Sequence, residues 1–405
     1  MKPAGISQKS GLSLLIDPAV FMGMIGALTP VLTLYIPLSL AIILPVGAVF
    51  LVVFRIATGE PKLNFDRLPL IVIVGMLCLG VASLLWSYAP ELTVDKLPRT
   101  ALAVLAGVIF ITAVKGLDDR TTRIFILSFL SGMLIVLALV FLERFSGGIL
   151  LREKIPDVSL NNFLNQFNRP LAVLSVLIWP AIVILSRRHW GLAVLAFGIY
   201  ASCLMFFITS AAIVAVVIGA IAFVTVYLLP RAGPISVALI LSASVLIAPT
   251  VDHYLPSPKE TFESLDLPRS TYHRLLVWGF TVDRIADRPF LGWGLNASRA
   301  VPGAAKSLDV SEPALPLHPH NAALQWRLEL GILGVLFGVG LILVSTEMTR
   351  RYATERTARA GAVAAIGATF AIAMISFGAW QTWWISGMFL IAGITVLVCR
   401  RRPPA

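Results

Sequence analysis

The chain has 405 residues, 58% of them hydrophobic and 13% charged, with a formal net charge of +11. Lipid cannot satisfy backbone polar groups, so a chain this apolar crosses a membrane as helices or as a closed barrel. The apolar runs are long and continuous rather than short and alternating, which excludes the barrel and leaves an all-α integral membrane protein. A positive balance of this size in a soluble protein would suggest a nucleic-acid partner. Here membrane topology accounts for part of it, and the surrounding lipid is the expected partner. The three cysteines, Cys78, Cys203 and Cys399, lie inside or at the end of apolar runs, which argues against a disulfide framework.

Lys2 and Lys9 precede the first apolar stretch in the manner of a signal peptide. The run continues to Arg55 with only Asp17 interrupting it, so a retained, anchor-like first helix is expected. A span needs about 20 apolar residues. On that measure, twelve membrane helices are predicted at 18–36, 38–55, 68–88, 98–114, 124–142, 170–186, 191–208, 211–229, 233–250, 323–345, 360–379 and 381–399. The chain divides into residues 1–250 (helices one to nine, with an outer segment near 143–169), 251–322 (a large, partly helical loop) and 323–405 (helices ten to twelve and a basic tail).

Short-loop arginine and lysine set the orientation. Arg187-Arg188, Arg350-Arg351 and Arg400-Arg401-Arg402 fall on the face that this rule makes cytoplasmic, while the short loops of the other face hold Lys96 and Arg99. The large loop therefore lies on the outer face. Trp380, Trp383 and Trp384, at the outer turn between the last two helices, are predicted to form an interfacial aromatic belt.

The loop has internal order. Ser270 is a candidate N-cap, and Leu275, Trp278, Val282 and Ile285 recur at helical spacing until Pro289. It also holds four of the five histidines, at 253, 273, 318 and 320. The middles of the predicted spans contain no ionisable residue; Glu143-Arg144, Arg169, Arg327 and Glu329 gather at the outer ends. That argues against an ion-coupled carrier, which places such groups near mid-membrane. It favours chemistry at the outer surface, where a lipid-linked substrate presents its headgroup.

Three readings of His318-Pro319-His320-Asn321 are open. The H-x-H pair could ligate a metal, for which Asp309, Glu312, His253 and His273 would be further ligands, none at a motif-like spacing. The imidazoles could bond backbone and cap the next helix, with Asn321 as N-cap. One of them could be a general base, its pKa near working pH. Arg169, where an outer segment enters helix six, and Arg274, at the start of the loop helix, suit a phosphate or diphosphate gripped bidentately; the alternative is headgroup snorkelling.

These residues resemble the bacterial O-antigen ligases and the related polymerases. The resemblance rests on His318-Pro319-His320-Asn321 with Gln325 and Glu329-Leu330-Gly331, and on Arg274 and Trp278 followed by Asp287-Arg288-Pro289-Phe290-Leu291-Gly292-Trp293-Gly294. Asn168-Arg169-Pro170 leading to Trp179-Pro180 is more similar to ligases than to polymerases. The resemblance implies a membrane-embedded glycosyltransferase that moves a polysaccharide from undecaprenyl diphosphate to a sugar hydroxyl of lipid A-core. It implies His320 as the essential histidine and Arg169 and Arg274 as diphosphate contacts. The chemistry of a glycosyl diphosphate then makes His320 the expected catalytic base, with His318 and Asn321 as further candidate substrate-binding positions; it needs no cofactor and no metal, and direct displacement would invert the anomeric centre. The alternatives are a polymerase joining lipid-linked repeat units, a transporter of the same superfamily and a structural membrane subunit.

Overall fold

The computed structural model describes residues 17–60, 62–151, 159–207, 209–253, 269–307 and 312–399, together with 260, 262 and 264. The lysines of the anchor reading, Asp309 and the Arg400–Arg402 tail lie outside the described residues, as do the side chains of His253 and Ser270. The helices, in chain order, are α1 (Pro18–Tyr35), α2 (Leu40–Ala57), α3 (Arg67–Ala82), α4 (Pro90–Val114), α5 (Asp119–Phe145), α6 (Leu160–Asn165), α7 (Asn168–Arg188), α8 (Trp190–Leu204), α9 (Ser210–Leu228), α10 (Gly233–Ile247), α11 (Arg269–Asp287), α12 (Ala322–Tyr352), α13 (Arg356–Ile375) and α14 (Thr382–Cys399).

Every predicted span has its helix. Eleven are long and apolar enough to cross a membrane, and α8 is a shorter apolar helix of 15 residues. At 1.5 Å per residue, α8 reaches about 22 Å, short of a hydrocarbon core of about 30 Å. The chain is a multi-pass, all-α membrane protein.

Local chemistry sets the ends. Asp17 and Asp118 cap α1 and α5 by accepting the backbone N–H of Ala19 and Thr121. α4 begins at Pro90, eight residues before the expected start, because proline suits the first helical turn and Pro98 is carried inside the helix. α7 is the axle of the bundle. Its run from Pro170 to Val183 is buried without interruption, and α9, α13 and α14 pack around it. Gly219 lets the indole of Trp179 lie against α9, since any Cβ there would collide with the ring.

Alternating passes gather one set of helix ends beneath the loop. α11 packs on the first turns of α12, where Val277, Val282 and Ile285 join Trp293, Leu324 and Leu328 in an apolar cluster separate from the main core. The predicted aromatic belt is corrected here: Trp380, Trp383 and Trp384 are 5%, 7% and 1% exposed. The α13–α14 turn folds inward under the loop: Trp383 and Trp384 pack against Phe377, Trp380 donates to Glu329 and Trp383 to Gln381.

α12 is not one rod. Gly331 has φ +62° and ψ −152°, breaking the helix after its first nine residues. The segment 290–294 fills the break. Trp293 and Gly294 donate N–H to the carbonyls of Leu328 and Glu329 at 2.9 and 2.8 Å, and Ile332 donates to Phe290 O at 3.2 Å. A Cβ at Gly331 would overlap the Phe290 carbonyl, and one at Gly292 or Gly294 would overlap Glu329 backbone or Ser87. Non-helical backbone at membrane depth survives only where protein covers it. The Asp287–Gly294 and Glu329–Gly331 motifs are the two halves of this covering.

Candidate functional site at the loop face of the bundle

The site is built on the His318–Asn321 turn. Asn321 caps α12, its side-chain oxygen accepting Leu324 N–H at 3.1 Å, so the turn is anchored to the helix that follows. Trp278 of α11 donates its indole N–H to Pro319 O at 2.8 Å and fixes the other side. His320 sits at φ +55°, a left-handed conformation that a residue with a side chain holds only under local support. Its own N–H donates to His318 Nδ1 at 3.1 Å and supplies part of that support.

The two imidazoles differ in what their nitrogens can do. His320 Nδ1 lies 2.7 Å from Ser376 O, and a carbonyl only accepts, so Nδ1 carries the proton and Nε2 of the neutral ring keeps its lone pair. His320 remains half-buried and reachable. Burial pushes its pKa down first, the Ser376 bond opposes this, and the charges of Arg274 and His273 add to the depression. His318 is 6% exposed. Its Nδ1 takes the His320 N–H, and its Nε2 lies 3.0 Å from Gln381 Nε2. Burial, then His320, then Lys96, pushes the His318 pKa down to about 3, so this ring is neutral across physiological pH. The ring packs against Gly378, where a Cβ would meet it at 2.6 Å.

Two cations face this pair, and a third, Arg169, is linked to it through two intervening side chains. Arg274 lies close enough to His320, and Lys96 close enough to His318, for each charge to oppose ring protonation. Arg169, at the first turn of α7, lies 5.9 Å over the Trp383 ring; Trp383 donates to Gln381 Oε1 at 3.2 Å, and Gln381 faces His318. Among the described residues none of the three cations has an ion-pair partner. The nearest buried carboxylate, Glu329, is taken up by four uncharged donors. The result is positive charge beside one free imidazole lone pair, suited to hold an anion and to accept a proton beside it.

The structure thus brings His318, His320, Arg274 and Asn321 to one place and sets Arg169 behind Trp383 and Gln381. Asn321 spends its oxygen on the cap, and both ring nitrogens of His318 have protein partners. Glu312 is exposed, and His273 lies 3.4 Å from Pro313 O. Among the described residues no group of three His, Cys, Asp or Glu side chains is placed to hold a metal ion. Sequence reasoning assigned Lys96 to topology alone and missed Ser376 and Gln381. The readable signal for Lys96 was a lysine on a short outer loop; a serine carbonyl and a glutamine amide leave no comparable mark.

A family model described as O-antigen ligase matches residues 193–339. That stretch holds α11, the histidine turn and the break at Gly331. A Rickettsia prowazekii protein, provisionally named a polysaccharide ligase, is 30% identical over 279 residues, covering 67% of this chain and 67% of its own. Counterparts from Rickettsia conorii and Rickettsia felis, named in the same way, are each 29% identical. They align over 66% and 67% of this chain, which spans 64% and 65% of their own lengths, just under two thirds.

Proposed function

The chain belongs to the O-antigen ligase family, and on that premise we propose that it transfers a polysaccharide from undecaprenyl diphosphate to a sugar hydroxyl of lipid A-core. The site faces the periplasm of a bacterial inner membrane in this reading. The observation that carries it is the pairing of a free His320 Nε2 lone pair with cations that have no anion of their own.

A glycosyl diphosphate already has a good leaving group, so the enzyme must supply two things. Arg274, Arg169 and Lys96 meet the charge that develops on the departing diphosphate, where a water-poor site makes each contact worth several kcal/mol. His320 takes the proton of the acceptor hydroxyl. The acceptor oxygen bonds to the anomeric carbon as the bond from that carbon to the diphosphate oxygen breaks. The proton ends on His320 Nε2 and the electron pair on the lipid diphosphate. A single displacement of this kind inverts the anomeric centre.

His318 serves as a neutral prop: too buried to protonate, it holds the backbone of its neighbour. Asn168-Arg169-Pro170 favours the ligase over the polymerase. The test is a deletion strain analysed by lipopolysaccharide gel. Loss of the whole polymer ladder from lipid A-core, with lipid-linked polymer accumulating, supports the proposal. A core carrying single repeats makes the chain a polymerase instead, and an unchanged ladder removes the reading.

A further inference from the structure

Glu329 is 0% exposed, and a charge in that position calls for an explanation. Buried ions are costly, and a site needing only packing is served as well by apolar residues. Its carboxylate is arranged with a symmetry that an apolar or amide side chain lacks. Oε1 accepts from the Ser298 hydroxyl and from Gln325 Nε2 at 3.1 Å. Oε2 accepts from Asn296 N–H and from Trp380 Nε1, both at 2.5 Å. Each oxygen therefore takes one donor from the segment after α11 and one from the bundle side.

The bundle-side donors lead to the histidines. Trp380 belongs to the turn between α13 and α14, and Gln325 passes the grip on, its own oxygen accepting Ala379 N–H at 2.8 Å. The same turn carries Ser376, whose carbonyl holds His320 Nδ1, and Gln381, whose amide meets His318.

Resting on the function proposed above, we infer that Glu329 is a positioning residue for His320. Its two oxygens pin the 376–381 turn, and the turn fixes the ring that must offer Nε2 to the acceptor hydroxyl. Glu329 touches neither substrate nor reacting atoms. A glutamine at this position offers one acceptor oxygen and turns an N–H₂ group toward two donors, so one of the two bridges must open.

The experiment uses the full chain in vesicles with a lipid-diphosphate-linked glycan donor and a lipid-linked sugar acceptor. It reads kcat and donor KM for the wild type, Glu329→Gln, Trp380→Phe and Ser298→Ala. Glu329→Gln is expected to lower kcat at least tenfold with donor KM within twofold. Trp380→Phe, which removes the donor on the turn, is expected to lower kcat less but without moving KM. Ser298→Ala, which removes a donor on the loop side only, is expected to stay within twofold of wild type. A folded Glu329→Gln protein with wild-type kcat overturns the inference. Should Glu329→Gln not fold, the remaining pair decides: equal losses in Trp380→Phe and Ser298→Ala make the carboxylate a fold clamp only. A wild type that transfers nothing removes the functional reading itself, which separates that failure from failure of the positioning role.

Discussion

The two ends of the helical bundle treat positive charge differently. At the end away from the loop, five cations stand beside carboxylates: Arg120 with Asp17 at 2.9 Å, Arg187 with Glu355 at 2.8 Å, Arg350 and Arg351 with Glu347 at 3.0 and 2.8 Å, and Lys115 with Asp66, while Arg356 and Arg359 bond backbone carbonyls. Such surface pairs contribute about 0–1 kcal/mol each and need no further ligand. At the loop end, Arg99 and Arg284 have partners of this kind, but the three cations around the histidines have none among the described residues. A partly desolvated charge without a counter-ion is unfavourable unless something brings one. In the proposed function, this unpaired charge at the loop end is what the donor diphosphate would meet.

The severest way to break this comparison is to remove the imidazole at its centre. His320→Ala is expected to cut transfer by about 10²–10⁴-fold while the protein stays in the membrane, measured as glycan transfer per mole of enzyme in vesicles. Transfer at the wild-type rate would leave the base elsewhere.

The pH profile is the next measure. A base works unprotonated, and the His320 pKa is lowered from 6.5. The acid limb of kcat/KM should therefore lie below that value, with activity falling about tenfold per pH unit beneath it. A limb above pH 6.5 would contradict the burial that depresses the ring.

Exchanging single cations then sharpens the contrast between ends. Arg274→Ala, Arg169→Ala and Lys96→Ala should each raise donor KM about tenfold, the worth of one charge-assisted contact to phosphate. Arg351→Ala, at the paired end, should leave it within twofold. Equal losses at both ends would reduce the loop-end cations to ordinary surface charge. The smallest effect is expected from Trp278→Phe, which removes the bond to Pro319 O at a net cost of about 1 kcal/mol and should lower kcat severalfold. An unchanged kcat would mean that α11 merely covers the turn.

Most of the helical layout was legible because lipid imposes length and hydrophobicity directly on the sequence. Where the reading slipped, a local signal had two meanings. Pro98 looked like a helix start and is carried inside α4. The tryptophans at 380, 383 and 384 matched an interfacial belt, yet they are buried because the turn bearing them folds beneath the loop. The α12 break was invisible for a different reason. Gly331 lies in an apolar run that reads as continuous helix, and only the arrival of segment 290–294 makes its left-handed backbone worthwhile. The same holds for the site. His320, Arg169 and Arg274 stood out as polar residues in an apolar chain. Ser376 acts through a backbone carbonyl, and Lys96 shares its type with any topological lysine. Their contributions exist only in three dimensions.

The distance in sequence between His320 and its Ser376 support, 56 residues, has a consequence for how the protein is made. Chain synthesis delivers the loop and its histidine turn before α13 and α14 exist. A nascent chain that has inserted α12 carries the His320 ring but has no carbonyl to fix its tautomer, no Gln381 for His318, and no Trp380 for Glu329. The site is completed by the α13–α14 hairpin, which enters the membrane after α12, so a partly inserted protein displays the motif without the contacts that hold it.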